Sequence, residues 1–189
     1  MMFESDEAEA VYINDWSPDG RFLLCTRTSL TTLNDLWVVP VAGDRKSVAL
    51  LATPFNESHG QYSPDGKWIA YTSDDSGQQE IYVRRVEAPE RTRVSSGGGS
   101  FARWRADGKE LFYRSLDGKL MTVPVSQGAR GLDFGTPTAL MDIIEPLGTF
   151  AYPYDVASDG QRILTLKPAG GGRPVVLTVL VNWDAGLKK

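Results

Sequence analysis

The feature that most constrains this chain is a short turn sequence that comes back four times. Its copies are Trp16-Ser17-Pro18-Asp19-Gly20-Arg21, Tyr62-Ser63-Pro64-Asp65-Gly66-Lys67, Trp104-Arg105-Ala106-Asp107-Gly108-Lys109 and Val156-Ala157-Ser158-Asp159-Gly160-Gln161. The marker aspartates Asp19, Asp65, Asp107 and Asp159 stand 46, 42 and 52 residues apart. A period in that range signals a repeat architecture, in which one unit cannot bury its apolar surface alone and stacks on its neighbours.

The chemistry of the repeated stretch is that of a tight turn between two strands. Ser at the first position can bond the turn backbone, Pro at the second sets φ near the type I value, and Gly at the fourth tolerates positive φ. The pairs Asp19-Gly20, Asp65-Gly66, Asp107-Gly108 and Asp159-Gly160 are therefore assigned a structural role in the turns. Behind them come the apolar runs Phe22–Cys25, Trp68–Tyr71, Leu111–Tyr113 and Ile163–Leu166. Short runs that are apolar on both alternating faces read as strands covered on both sides.

Each repeat holds further strands, at Leu36–Val39 and Val48–Leu51 in the first, and at Ile81–Val83 and Arg91–Ser95 in the second. The third repeat continues with Leu120–Val125 and an outer strand at Thr138–Met141, with Gly131–Pro137 expected as a loop before it. Four strands per repeat is the content of a propeller blade. The expected fold class is all-β: a β-propeller of about four blades of mostly four antiparallel strands, partial or a half-ring that dimerises. An acidic segment covers 1–9, and the repeats cover 10–189 as blades of about 10–54, 55–97, 98–141 and 148–183. After the run Val175–Val181 no room is left for a fourth strand, so the last blade is expected to be one strand short.

The Ser-Pro-Asp-Gly turns followed by apolar strands resemble the repeats of TolB-like β-propellers, which are WD40-like in plan. More narrowly, Asn34–Pro40, Thr53–Glu57, Ile81–Arg84, Arg105–Tyr113 and the terminal Val181–Lys189 resemble the C-terminal propeller region of certain bacterial serine/threonine protein kinases. The likeness runs from about residue 11 to the end. It implies a sensor or scaffold part of a kinase-linked signalling protein, with the kinase domain and the earlier blades absent from this sequence.

Reaction chemistry is not expected, and no catalytic residue, metal ligand or cofactor is assigned. The only histidine, His59, is followed by Gly60, so there is no His-Arg-Asp loop, and Asp133-Phe134-Gly135 stands without the other kinase motifs. A peptidase setting, known for TolB-like propellers, would need a Gly-x-Ser-x-Gly elbow on an α/β domain, which is missing. Asp74 and Asp75 read as a solvated hairpin tip, and Gly97-Gly98-Gly99 as a flexible crossing between blades. With 20 basic and 24 acidic side chains the net charge is −4, which disfavours a nucleic-acid partner. The cluster Arg103, Arg105 and Lys109 reads as a solvated face, and Trp104 as packing. Cys25 reads as a small core residue.

No signal peptide or membrane-spanning run is visible. A cytoplasmic location is the default expectation, or a periplasmic or extracellular one within a membrane-anchored parent. The expected function is binding: rigid blades present loops and a channel mouth to a protein or peptide. The channel-side candidates are Glu57, His59, Phe101, Arg103, Tyr152 and Tyr154, from the strands entering each turn. The alternative is a structural half-propeller completed by a homodimer or a partner chain, because a ring short of a strand exposes unpaired edges that invite association.

Overall fold

The computed structural model describes residues 10–30, 33–129, 131–144, 152–169 and 173–181. The acidic segment 1–9, the opening of the fourth repeat at 149–151, the second glycine triplet at 170–172 and the terminal segment 182–189 lie outside the described residues.

The first sheet joins β1 (Ala10–Trp16), β2 (Phe22–Ser29), β3 (Leu33–Pro40) and β4 (Val48–Leu51) in sequential antiparallel order. The second repeats it with β5 (Glu57–Tyr62), β6 (Trp68–Ser73), β7 (Glu80–Arg85) and β8 (Arg91–Arg93). The third contains β9 (Ser100–Trp104), β10 (Glu110–Arg114), β11 (Lys119–Gln127), β12 (Leu132–Phe134) and β13 (Thr138–Asp142). The fourth has three described strands, β14 (Tyr154–Val156), β15 (Arg162–Ala169) and β16 (Arg173–Val181). These are blades of an all-β partial propeller.

The repeated turn forms as its residues require. The Gly20 N–H donates to the Ser17 carbonyl at 2.8 Å, and Gly66 repeats the bond to Ser63. Gly20, Gly66, Gly108 and Gly160 all have φ between 68° and 74°, where a Cβ is unfavourable. In the first turn the Ser17 hydroxyl donates to Asp19 at 2.7 Å and accepts the Phe22 N–H at 2.9 Å, so two side chains close the loop from inside. Hydrogen bonds from Ser17 and Arg21 hold the Asp19 carboxyl down at a pKa of about 2.

The blades are held together by apolar packing between neighbouring sheets. Leu24 and Leu36 of the first meet Tyr62, Ile69 and Tyr71 of the second. Ala70, Ile81 and Val83 of the second meet Trp104, Leu111 and Tyr113 of the third, and Phe112 and Leu120 of the third meet Tyr154 and Ile163 of the fourth. The middle strands of the second and third sheets, β6 and β10, are buried on both alternating faces because a sheet covers each side, as their apolar runs require. Cys25 is buried.

Four expectations need correction. Within 131–137, Leu132–Phe134 is a strand, because the nine-residue β11 outruns its neighbours and its far end pairs Val125 with Phe134 while its near end pairs with β13. The glycine crossing is fastened: the buried Glu80 carboxylate accepts the Gly97 and Gly98 N–H groups, both at 3.0 Å, and also the Ser95 hydroxyl. Asp74 and Asp75 are not a free tip, since Asp74 accepts the Asn56 backbone N–H at 2.9 Å and Asp75 pairs with Arg91. The basic cluster does not form one solvated face. Arg105 is tied to Asp107 and Glu110 at 2.6 and 2.9 Å, whereas Arg103 turns towards Tyr152.

Candidate functional site

The innermost strands carry the same irregularity in three blades. Ladder register slips between Ile13 and Asp15 in β1, between Ser58 and Gln61 in β5, and opposite Phe112–Arg114 in β9. Such a bulge re-aims the side chains within it. In β5 and β9 it puts His59 and Phe101 at φ 53° and 59°, a left-handed conformation that costs a non-glycine residue on the order of 1–3 kcal/mol. The two rings are brought together, with centroids 4.3 Å apart.

Tyrosines of the fourth repeat close over this pair. Tyr152 meets His59 edge-on at 5.9 Å and Phe101 at 5.7 Å. Its hydroxyl donates to the His59 carbonyl at 2.9 Å, and the Tyr154 hydroxyl donates to the Phe101 carbonyl at 2.6 Å. Each left-handed residue thus has its carbonyl capped by a phenol from another blade. The Arg103 guanidinium lies 3.8 Å over the Tyr152 ring, with Nε 3.7 Å from Asp155 Oδ1. A cation over a ring face is held by the ring's quadrupole as well as by the carboxylate.

Five of the six channel-side candidates therefore meet: His59, Phe101, Arg103, Tyr152 and Tyr154. Glu57 stands apart. It is fully buried at the start of β5, where it accepts the Thr53 hydroxyl at 2.5 Å, and burial raises its pKa. Beside Arg103 an open cleft of about 300 Å3 runs between Tyr152, Pro153, Asp155, Leu164 and Thr165.

Burial governs the electrostatics here. It pushes the His59 imidazole down to about 4, so the ring is neutral at pH 7, and it raises the phenols of Tyr152 and Tyr154. Ser58 Oγ lies 2.9 Å from His59 Nδ1. A Ser–His contact can serve nucleophilic catalysis, but both residues are buried, His59 against the rings of Phe101 and Tyr152, and the bond here orients the imidazole.

Two residues at the bulges were missed by sequence reasoning. Asp15 Oδ2 accepts the Tyr62 N–H of the next blade at 2.8 Å, and Gln61 Oε1 accepts the Trp104 N–H of the blade after that, again at 2.8 Å. They form a latch from blade to blade. The available signal was positional, since Asp15, Gln61, Arg103 and Asp155 all directly precede the first residue of the repeated turn.

No family model matches the chain. Among curated proteins it is 31% identical over 167 residues to tricorn protease homolog 1 of Streptomyces coelicolor, covering 86% of this chain and 14% of that protein. It is 27% identical over 149 residues to an uncharacterized protein of Agrobacterium fabrum, covering 75% and 50% respectively. The chain thus spans half or less of the length of these relatives. Among solved structures, TolB from Acinetobacter baumannii matches with a TM-score of 0.69 at 17% identity, over 89% of this chain and 40% of that one. The fold is a TolB-like β-propeller. A puromycin-hydrolyzing peptidase of Mycobacterium tuberculosis matches at a TM-score of 0.65 and 21% identity, over 88% of this chain and 30% of that one. At these identities the structural likenesses to the TolB-like propeller carry the fold alone.

Proposed function

We propose that this chain is a non-catalytic TolB-like propeller module that binds a protein or peptide at the cleft beside Arg103. The observation that supports this is the convergence of Arg103, Tyr152 and Asp155 on an open cleft, positioned by bulged strands whose left-handed residues are capped from another blade. Backbone strain gathered at one place is a pointer to a site. An arginine over a tyrosine suits a carboxylate or an amide face of a peptide. The parent protein in this reading couples the propeller to a catalytic domain. The resemblance of the sequence suggests a kinase, and the names of the tricorn protease homolog and of the mycobacterial peptidase favour a peptidase setting.

The test is fluorescence anisotropy with a pool of labelled tetrapeptides bearing free C-terminal carboxylates. Saturable binding is expected, lost in Arg103→Ala and weakened in Tyr152→Ala. Binding unchanged by alanine at both His59 and Arg103 would sink the proposed cleft site, as would the absence of saturable binding at millimolar peptide. A fluorophosphonate probe is expected to leave Ser58 unlabelled, and labelling there would overturn the non-catalytic part.

A second reading, a structural half-propeller completed by association, is favoured by a separate observation. Ile13 and Trp16 on the outer face of the first sheet are 65% and 55% exposed. Tyr62 and Trp104, at the repeat position of Trp16, are each 6% exposed, so an apolar side chain left open at this position suits contact with another surface.

A further inference from the structure

A second pocket, of about 310 Å3, opens between the second and third repeated turns. It shares no lining residue with the cleft at Arg103. Trp68 and Trp104 form two of its walls, and Leu132 of β12 forms another. The chain entering β12 packs tightly on the second blade, since a Cβ on Gly131 would stand 2.9 Å from Trp68 Cη2. Among the described residues no other blade has a strand equivalent to β12, so this wall is peculiar to the junction between the second and third blades.

The charged residues of the lining are Asp65 and Asp107, both of them turn aspartates. In the other three turns one oxygen of this aspartate closes the turn and the second takes an arginine. Oδ2 of Asp19 holds Arg21 at 2.6 Å, that of Asp107 holds Arg105 at 2.6 Å, and that of Asp159 holds Arg162 at 2.9 Å. Asp65 closes its own turn in the same manner, its Oδ1 accepting the Ser63 hydroxyl at 2.5 Å and the Lys67 N–H at 3.1 Å. Its Oδ2, among the described residues, has only the ammonium of the exposed Lys67, at 3.9 Å. A donor is left over as well. Trp104 is buried, and its Nε1–H takes no acceptor among the described residues. A buried polar group in that state calls for a further partner.

We propose that this pocket binds an arginine residue, free or borne by a partner: its guanidinium pairs with Asp65 Oδ2 against the tryptophan walls, and its carbonyl accepts the Trp104 Nε1–H. A guanidinium is the cation that the other three turns place on this oxygen. Being planar and weakly hydrated, it is held by an indole face as well as by a carboxylate. Trp68 already holds one in this way, with the Arg85 guanidinium 4.8 Å from its ring centroid. Asp107 does not compete for the ligand, because Arg105 takes its two oxygens at 2.7 and 2.6 Å. Gln127, at the end of β11, offers an amide oxygen to a further N–H. At about 310 Å3 the pocket lies at the small end of ligand sites, which suits one residue and not a longer segment. The inference is independent of peptide binding at Arg103 and of the assembly reading.

The test is calorimetric titration of the full chain with three probes: N-acetylargininamide, its uncharged isostere N-acetylcitrullinamide, and a blocked pentapeptide with arginine between paired glycines. Indole N–H signals in NMR spectra locate the binding. Saturable binding of N-acetylargininamide is expected, with shifts at Trp68 and Trp104, and the citrulline compound should bind about tenfold more weakly or worse. Binding of the pentapeptide without the single residue would support the site and place the arginine on a partner. Asp65→Asn keeps an oxygen for the Ser63 hydroxyl and the Lys67 N–H, so the turn should form while affinity falls about tenfold. Lys67→Ala should tighten binding about twofold, because it removes the competing ammonium. The proposal is overturned if neither arginine probe saturates at millimolar concentration, if the citrulline compound binds equally, or if folded Asp65→Asn binds like the natural chain. Shifts centred on Tyr152 would put the probe in the other cleft and overturn it too. Should Asp65→Asn fail to fold, an unchanged affinity in Lys67→Ala overturns it.

Discussion

Trp16 and Trp104 hold the same place in the repeat, yet one is 55% exposed and the other 6%. Their own blades are alike: each ends the innermost strand, pairs with a leucine and enters a glycine-closed turn. The difference lies in the neighbour. Trp104 has Ala70, Ile81 and Val83 of the second blade behind it. Burial at this position is therefore a property of the junction, not of the residue, and the junction between the second and third blades can be tested against the bare first face.

The largest expected effect follows directly. Trp104→Ala should cost about 3–5 kcal/mol in urea unfolding, as removal of a buried aromatic does. Trp16→Ala, at a side chain that is 55% exposed, should stay within about 0.5 kcal/mol. Equal losses at the two positions would break the comparison.

His59 adds a pH signature to the closed side. Its pKa is near 6.5 when unfolded and about 4 when folded. Between those values the unfolded chain binds a proton that the native chain refuses, so stability falls as pH falls through the window from about 6.5 to about 4. The full shift corresponds to about 3 kcal/mol. Because His59 is the single histidine of the chain, His59→Phe should remove this part of the pH dependence from urea midpoints measured at pH 7 and pH 4. An unchanged slope would mean that the ring is hydrated in the folded state.

The closed junctions also differ from one another. A Cβ on Gly60 would stand 2.6 Å from Leu24 Cδ2, whereas the equivalent residue of the third blade is Ala102, facing the smaller Ala70. A large residue in one blade is matched by a glycine in the next, and a small one by an alanine. Gly60→Ala should cost about 1–3 kcal/mol by overpacking. In a Leu24→Ala background it should cost almost nothing, which a double-mutant cycle reads as strong coupling. Additive losses would show that the backbone, and not Leu24, limits the space.

Much of this fold was legible because turn chemistry and strand periodicity agree in every repeat. Asp-Gly at a fixed offset specified the four turns, and the runs behind them specified the covered middle strands. The short β12 was not legible, since Leu132-Asp133-Phe134 is flanked by Gly131 and Gly135 and owes its state to the overhang of β11. Of the candidate site, Phe101, Arg103 and Tyr154 could be placed on innermost strands by their position before each turn, whereas Tyr152 lies just ahead of β14. The bulges that re-aim His59 and Phe101 could not, because a left-handed histidine or phenylalanine leaves no mark in composition. Glu57 went astray for a similar reason: its place before the turn is right, but Thr53 holds its carboxyl in the crossing between the first and second blades.

The smallest expected effect concerns the latch, and it bears most closely on how one blade senses the next. Gln61→Ala removes the acceptor for the Trp104 N–H, a loss of about 1 kcal/mol for one partly buried hydrogen bond. Gln61→Glu keeps an acceptor oxygen and should restore most of that loss, although a charge is then partly buried. Amide exchange at Trp104 is the sharper readout, because it reports this junction alone. It should quicken in Gln61→Ala while exchange at Tyr62, latched by Asp15, stays as it was. If both amides quicken together, the blades open as one unit and the latch does not act junction by junction.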